Sequence, residues 1–194
     1  MTMHDARKRA EELHRESFVL DAHFDLLTFV LEKRQKGEKS VIEKDYLPGL
    51  RAANVDVVIS SLFVSDRFIP EMALRRALDM IAALHEEMAE SPGLFSLCRN
   101  TAEIAAANAR GEIAFLLSFE GLDPIGNDLS LLRVFYELGV RGIGLVWSRR
   151  NYVADGCFFD PVREGRKGGL TAFGVQVLDE AKRLGMYIDI SHLN

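Results

Sequence analysis

The chain has 194 residues, 48% of them hydrophobic and 27% charged, which suits a globular protein with one substantial core. A formal net charge of -5 argues against a nucleic-acid binder, and no stretch approaches the roughly 20 apolar residues that a membrane span needs. Cys98 and Cys157 lack a CxxC partner and Met1 to Ser17 has no apolar signal core, so a cytoplasmic protein is expected, with a single disulfide left open.

Ala6 to Glu16 reads as a polar amphipathic helix on the outside of the body. Strand one follows from Phe18 to His23, and the charged run Glu32 to Lys39 reads as a solvated loop. Leu47 to Ala53 looks like a short helix. Val55 to Val64 is a continuous apolar run, the signature of a parallel strand covered on both faces. Glu71 to Glu90 is a long helix between Pro70, a good first-turn residue, and Ser91-Pro92-Gly93. Thr101 is expected to cap a helix that Gly111 stops, before a strand from Ile113 to Phe119. Asp128 or Ser130 caps the next helix, which ends at Gly139 before a strand from Gly142 to Trp147. Gly165 to Gly169 is basic and glycine-containing but lacks the phosphate-loop pattern, so it reads as a flexible loop. Thr171 caps the last helix, Gly185 ends it, and the strand Met186 to His192 follows.

Helix, glycine, apolar strand and polar loop in repeated order predict βα units and a parallel sheet. The expected fold class is α/β: right-handed crossovers give a barrel or a doubly wound sheet, and functional groups at the carboxyl ends of different strands favour a (β/α)8 barrel of the triosephosphate isomerase type. Only five strands are legible, where such a barrel needs eight. Residues 1–194 are therefore expected to form a single domain, the N-terminal part of a barrel, with no separate linker or second domain. An open parallel edge is sticky, which implies a longer polypeptide, a homodimer or a second chain that completes the barrel.

Three of these strands end in metal-type ligands. Residues Asp21-Ala22-His23-Phe24-Asp25 place an imidazole and a carboxylate two apart, on one side of the sheet. Glu120 follows Phe119, and His192 follows Ser191. Histidine and carboxylate ligands suit zinc and its divalent neighbours. Each residue also has a plain structural reading. His23 could bond backbone, Asp25 could be an N-cap, Glu120 a surface carboxylate and His192 a solvated side chain. Their joint placement favours a site. Asp21 and Asp189 could orient the histidines from behind. His4, His14 and His85 read as surface residues, and Cys157, with no histidine near it in sequence, as a bystander.

The segments DAHFD at 21–25, SFEG at 118–121, GVRGIGLVWSRRNYVADG at 139–156 and GLTAFGVQVLDEAKRLGMYIDISHLN at 169–194 resemble, in order, the membrane (renal) dipeptidases and their bacterial relatives. These are binuclear zinc peptidases on a (β/α)8 barrel. The resemblance implies two divalent metal ions, zinc by family, with His23 and Asp25 on the first, Glu120 bridging the two and His192 on the second. It implies a metal-bridging hydroxide that attacks the peptide carbonyl of a small dipeptide. Trp147 stands where the renal enzymes carry a substrate-binding histidine, and Asn151 and Asp155 fall in a loop that would face the substrate. The family's remaining ligands and its carboxylate-binding arginine come from later strands, so the 194 residues alone are expected to bind metal poorly and not to turn over dipeptides. Two alternatives stand beside this reading: another metal-dependent amidohydrolase-like barrel, and a non-catalytic half-barrel subunit. Many amidohydrolases open with His-x-His, whereas this chain has His-x-Asp.

Overall fold

The computed structural model describes residues 2–157 and 168–194. The expected loop at Gly165 to Gly169 falls largely outside them. Helix α1 (Met3–Glu16) starts on a reciprocal cap, in which the Thr2 hydroxyl accepts from the Asp5 amide and the Asp5 carboxylate accepts from the Thr2 amide. It buries no residue and lies on the outside, as its polarity implies.

Among the described residues six parallel strands form one sheet: β1 (Leu20–Phe24), β2 (Val57–Phe63), β3 (Phe95–Leu97), β4 (Ile113–Glu120), β5 (Val140–Gly144) and β6 (Tyr187–Asp189). The order is β1-β2-β4-β5-β6. β3 pairs with the start of β4 and β5 with its end, so the two share the side of β4 opposite β2. The sheet is a parallel half-barrel in which, among the described residues, β1 and β6 each have one strand neighbour. The sixth strand corrects the expectation of five: β3 is three residues long, too short to show a period. The last two strands are also shorter than their apolar runs, which leaves Trp147 and His192 in the loops beyond β5 and β6.

Helix α2 (Leu26–Arg34) takes the first three residues of the run Glu32 to Lys39 read as loop, while residues 35–39 are turn and irregular backbone as expected. Its buried face is Leu26, Leu27, Val30 and Leu31, and Arg34 ends it in a carboxylate cluster. Arg34 Nη1 lies 2.5 Å from Glu87 and 2.8 Å from Glu90, both on α4 (Ala73–Glu90), while the Ile42 amide donates to Glu87 at 2.7 Å. A charged run can thus end a helix when the partner helix supplies the countercharge. Between them lie a π-turn at Ile42–Tyr46 and helix α3 (Leu47–Ala52). Pro70 stands in the turn before α4 rather than in its first turn. Helix α5 (Thr101–Ala109) is capped by Asn100, not Thr101: the Asn100 carboxamide accepts from the Glu103 amide at 2.8 Å. Asp128 caps α6 (Leu129–Glu137) and Thr171 caps α7 (Ala172–Leu184), as expected. Gly185 follows α7 with φ +73°, a left-handed turn that favours glycine.

The two faces of the sheet differ in kind. On β4, Phe115, Leu117 and Phe119 are almost fully buried against the helices, and Phe119 stacks edge-to-face on Phe135 of α6 at 4.8 Å. The alternate residues Ser118 and Glu120 face the concave side. On β2, Val58, Ser60 and Leu62 take the helix side, while Ile59, Ser61 and Phe63 take the concave side. Aromatic pairs such as Phe119–Phe135 add about 0.5–1.5 kcal/mol beyond area burial, so the core sits under the helices. No helix among the described residues is long and apolar enough to cross a membrane.

Candidate metal centre

Parallel strands bring their carboxyl ends to one rim, and four ligand-type side chains meet there. His23 leaves β1, Glu120 is the last residue of β4, and His192 stands three residues after β6. Asp25 occupies the N-cap position of α2, but its side chain makes no capping bond. It turns instead into the rim, where it accepts from the buried Ser61 hydroxyl of β2. One ligand atom each from His23, Asp25 and Glu120 lies within 4.8 Å of the others.

Glu120 is the hub. One oxygen, Oε2, is 3.3 Å from His23 Nε2, and the other, Oε1, is 3.4 Å from His192 Nε2. Its side chain is 10% exposed, and Oε2 is buried without a hydrogen bond, the His23 contact lacking the geometry for one. Burial first, then the carboxylates of Asp25 and Asp189, push Glu120 up to about 8. A carboxylate held this way calls for a cation. Asp189 behaves differently: burial pushes it up, but bonds from Ser191 and the nearby His23 and His192 imidazoles outweigh that and hold it below the usual range.

Backbone geometry aims the two histidines. The Asp21 carboxylate accepts from the His23 amide at 3.1 Å. His192 adopts φ +63°, a left-handed conformation that costs a non-glycine residue about 1–2 kcal/mol. The loop after β5 holds it there: the Cys157 amide donates to the His192 carbonyl at 2.8 Å, and Gly156 bridges to Leu193. Cys157 Sγ lies 4.0 Å from His192 Nδ1, so the expected bystander is a neighbour of the site across 35 positions of sequence. Neither Ser61 nor Cys157 was visible as a site residue, because both reach the rim through pairings between distant strands and loops.

The cleft has a volume of about 480 Å³ and is lined by His23, Glu120 and His192 together with Ile59, Tyr187 and Asp189. Trp147 packs edge-to-face on Phe63 at 5.0 Å and lies 6.4 Å from the His192 ring. The Asn151 side chain bonds within its own loop, donating to the Leu145 carbonyl at 2.9 Å and accepting from the Val153 amide at 2.8 Å. Asp155 pairs with Arg150, Nη2 to Oδ2 at 2.8 Å, and accepts from the Gly168 amide; the arginine holds its carboxyl at about 2. His4, His14 and His85 are exposed, as expected.

Residues 7–194 match the family model described as membrane dipeptidase (peptidase family M19). The chain belongs to this family. It is 30% identical to human dipeptidase 3 over 195 residues, covering 97% of the chain and 39% of that protein. Among solved structures of the family's kind, dipeptidase AC, a metallo peptidase of family M19, superposes with a TM-score of 0.79 at 29% identity, over 91% of this chain and 57% of that one. A Rhodobacter sphaeroides metallo peptidase, solved with a phosphinate mimic of the dipeptide L-Ala-D-Ala, superposes with the same score at 26% identity, over 91% and 59%. The chain thus spans roughly two fifths to three fifths of the length of these relatives. The likeness extends the half-barrel of this chain to the partial TIM-type barrel of M19 dipeptidases.

Proposed function

We propose that this chain forms the N-terminal half of a zinc-dependent dipeptidase barrel, with small dipeptides as substrates. The observation that carries the reading is the Glu120 carboxylate: its buried Oε2 has no hydrogen bond and faces His23, with Asp25 in the same cluster, while Oε1 faces His192. That donor set fits divalent zinc. His23 and Asp25 would hold one ion, His192 the other, and Glu120 would bridge them. Two divalent ions held there would supply Lewis acidity toward a peptide carbonyl and a nucleophile from water at neutral pH.

The chain's own residues prepare that chemistry. Ser61 fixes one oxygen of Asp25, and Asp21 fixes the main chain at His23. The pairing of 156–157 with 192–193 holds His192 toward Glu120. Trp147 and Phe63 offer an apolar wall beside the site, and Asn151 and Asp155 hold the loop that carries Trp147. The chain spans only part of the length of its relatives, and we expect no dipeptide turnover from the 194 residues alone.

Calorimetric zinc titration of the metal-stripped chain tests the ligand assignment. His23→Ala and Glu120→Gln are each expected to weaken zinc at least tenfold, the usual scale for loss of a ligand or its support. Equal zinc affinity in the wild type and both variants would overturn it. A panel of L,L and L,D dipeptides tests turnover, where measurable hydrolysis by the purified chain would refute the expectation of inactivity.

A further inference from the structure

A second cavity, of about 130 Å³, lies behind the loop after β2 and is separate from the metal-ligand cleft. It is lined by Thr28, Glu32, Ser65, Arg67, Phe68 and Arg76, with Met80 and the end of β2 behind them. Arg76 comes from the first turns of α4 and is 8% exposed. Its guanidinium lies 4.3 Å from the centroid of the Phe68 ring, and Arg67 lies against the same ring at 4.7 Å. Among the described residues no oxygen accepts a hydrogen bond from the Arg76 side chain. The two nearest carboxylates are engaged elsewhere: Asp79 pairs with Arg75 at 2.7 Å and Glu32 with Arg67 at 3.0 Å. Burial, opposed by Asp79 and Glu32 and aided by Arg67, lowers the affinity of Arg76 for its proton.

The guanidinium rests on one aromatic face, and its five donors, given no acceptor by the described side chains, are left to the cavity. At about 30 Å³ per water, the cavity holds a few waters or one small oxyanion. We propose that this cavity is an oxyanion-binding site, with Arg76 as its buried anchor; Ser65 and Thr28 also line it, the Thr28 hydroxyl donating to Met80 Sδ. The ligand chemistry is a compact anion with planar or tetrahedral oxygens, a carboxylate or a phosphate group, which a guanidinium fork matches. The Arg67–Glu32 pair at the entrance exchanges partners readily, since both side chains are largely exposed.

The test uses metal-stripped protein, so that added anions cannot be read through a metal ion. Inorganic phosphate and acetate are titrated at constant ionic strength against the wild type and Arg76→Met, reading thermal midpoint and, by NMR, the arginine Nε–H resonances of the wild type. A saturable rise in midpoint and a saturable shift of one buried Nε–H are expected, with at least a tenfold loss of affinity in Arg76→Met. Phosphate outcompeting acetate would assign the site to a phosphate group, and the reverse to a carboxylate. Should the variant not fold, the Nε–H titration of the wild type alone decides. No saturable Nε–H shift with either anion, or an equal response in a folded Arg76→Met, would overturn the proposal in favour of a water-filled cavity.

Discussion

Replacing Glu120 by glutamine should make the metal-free protein more stable while destroying its candidate metal site. The carboxyl of Glu120 is pushed from its ordinary 4.5 to about 8, by burial first and by Asp25 and Asp189 next. Its folded value lies above the unfolded one, so the stability it contributes is fully present below pH 4.5 and is lost as pH rises toward 8. Each pH unit in that window costs about 1.4 kcal/mol, so at pH 7 the folded state carries a penalty of about 3 kcal/mol. Glutamine keeps the shape and removes the ionisation. We expect Glu120→Gln to melt about 6–12 °C higher than the wild type at pH 7, at about 2–4 °C per kcal/mol for a chain of this size. The difference should vanish near pH 4.5. Circular-dichroism melts of chelator-stripped, dialysed protein between pH 4.5 and 8 measure it. Parallel stability profiles for the two proteins across that range would refute the claim that Glu120 is a buried carboxylate waiting for a cation.

Three further outcomes follow from packing and charge. Gly142→Ala should destabilise the protein by about 1–3 kcal/mol in denaturant melts, since a Cβ there would run into the Tyr187 ring and the Ser118 hydroxyl; Gly142→Ala with Tyr187→Ala should recover part of the loss. Arg34→Met should cost about 3–5 kcal/mol, because it leaves the fully buried Glu87 without its cation, and urea titration measures it. Acid should unfold the protein over a defined window: Arg34 holds Glu90 at about 2, Arg110 and Ser96 hold Glu112 there, and Arg150 holds Asp155 there. Folded values below the unfolded ones mean that this stability is present above about pH 4.5 and drains as pH falls toward 2, and an acid titration of tryptophan fluorescence reads it.

Local signals in the sequence were reliable where one residue decides the structure. Asp128 and Thr171 cap their helices and Gly185 ends α7, because each acts through bonds within four residues of itself. Asn100 and Thr101 are both good caps one position apart, and only the backbone at Asn100, extended at φ -160°, selects between them. The apolar runs located β2 and β4 because both faces of a central parallel strand are covered. They overran at β5 and β6, where the same apolar residues continue into loops that close over the rim. Helix α2 stayed hidden behind its charged end, since the cation at Arg34 is neutralised by residues more than 50 positions away. The gathering of His23, Asp25, Glu120 and His192 was legible because parallel strands must end on one side. The Ser61 hydroxyl on Asp25 and the Cys157 thiol beside His192 were not, because no spacing rule connects them.

The half-barrel separates what holds the fold from what would do the chemistry. On β4, Leu117 points into the helix layer and is fully buried, while three residues later Glu120 points into the cleft. Leu117→Ala removes a core side chain and should cost about 2–5 kcal/mol. His23 is 46% exposed and stands on an edge strand whose inner residues are themselves partly exposed, so His23→Ala should change metal-free stability by less than about 0.5 kcal/mol. The proposed zinc site predicts that zinc raises the melting temperature, a rise that this substitution should abolish and that Leu117→Ala, once folded, should retain. Measuring both variants with and without zinc decides the matter. If His23→Ala loses several kcal/mol without metal, the histidine is part of the fold's own packing, and the rim is a structural polar network rather than a ligand set left open for an ion.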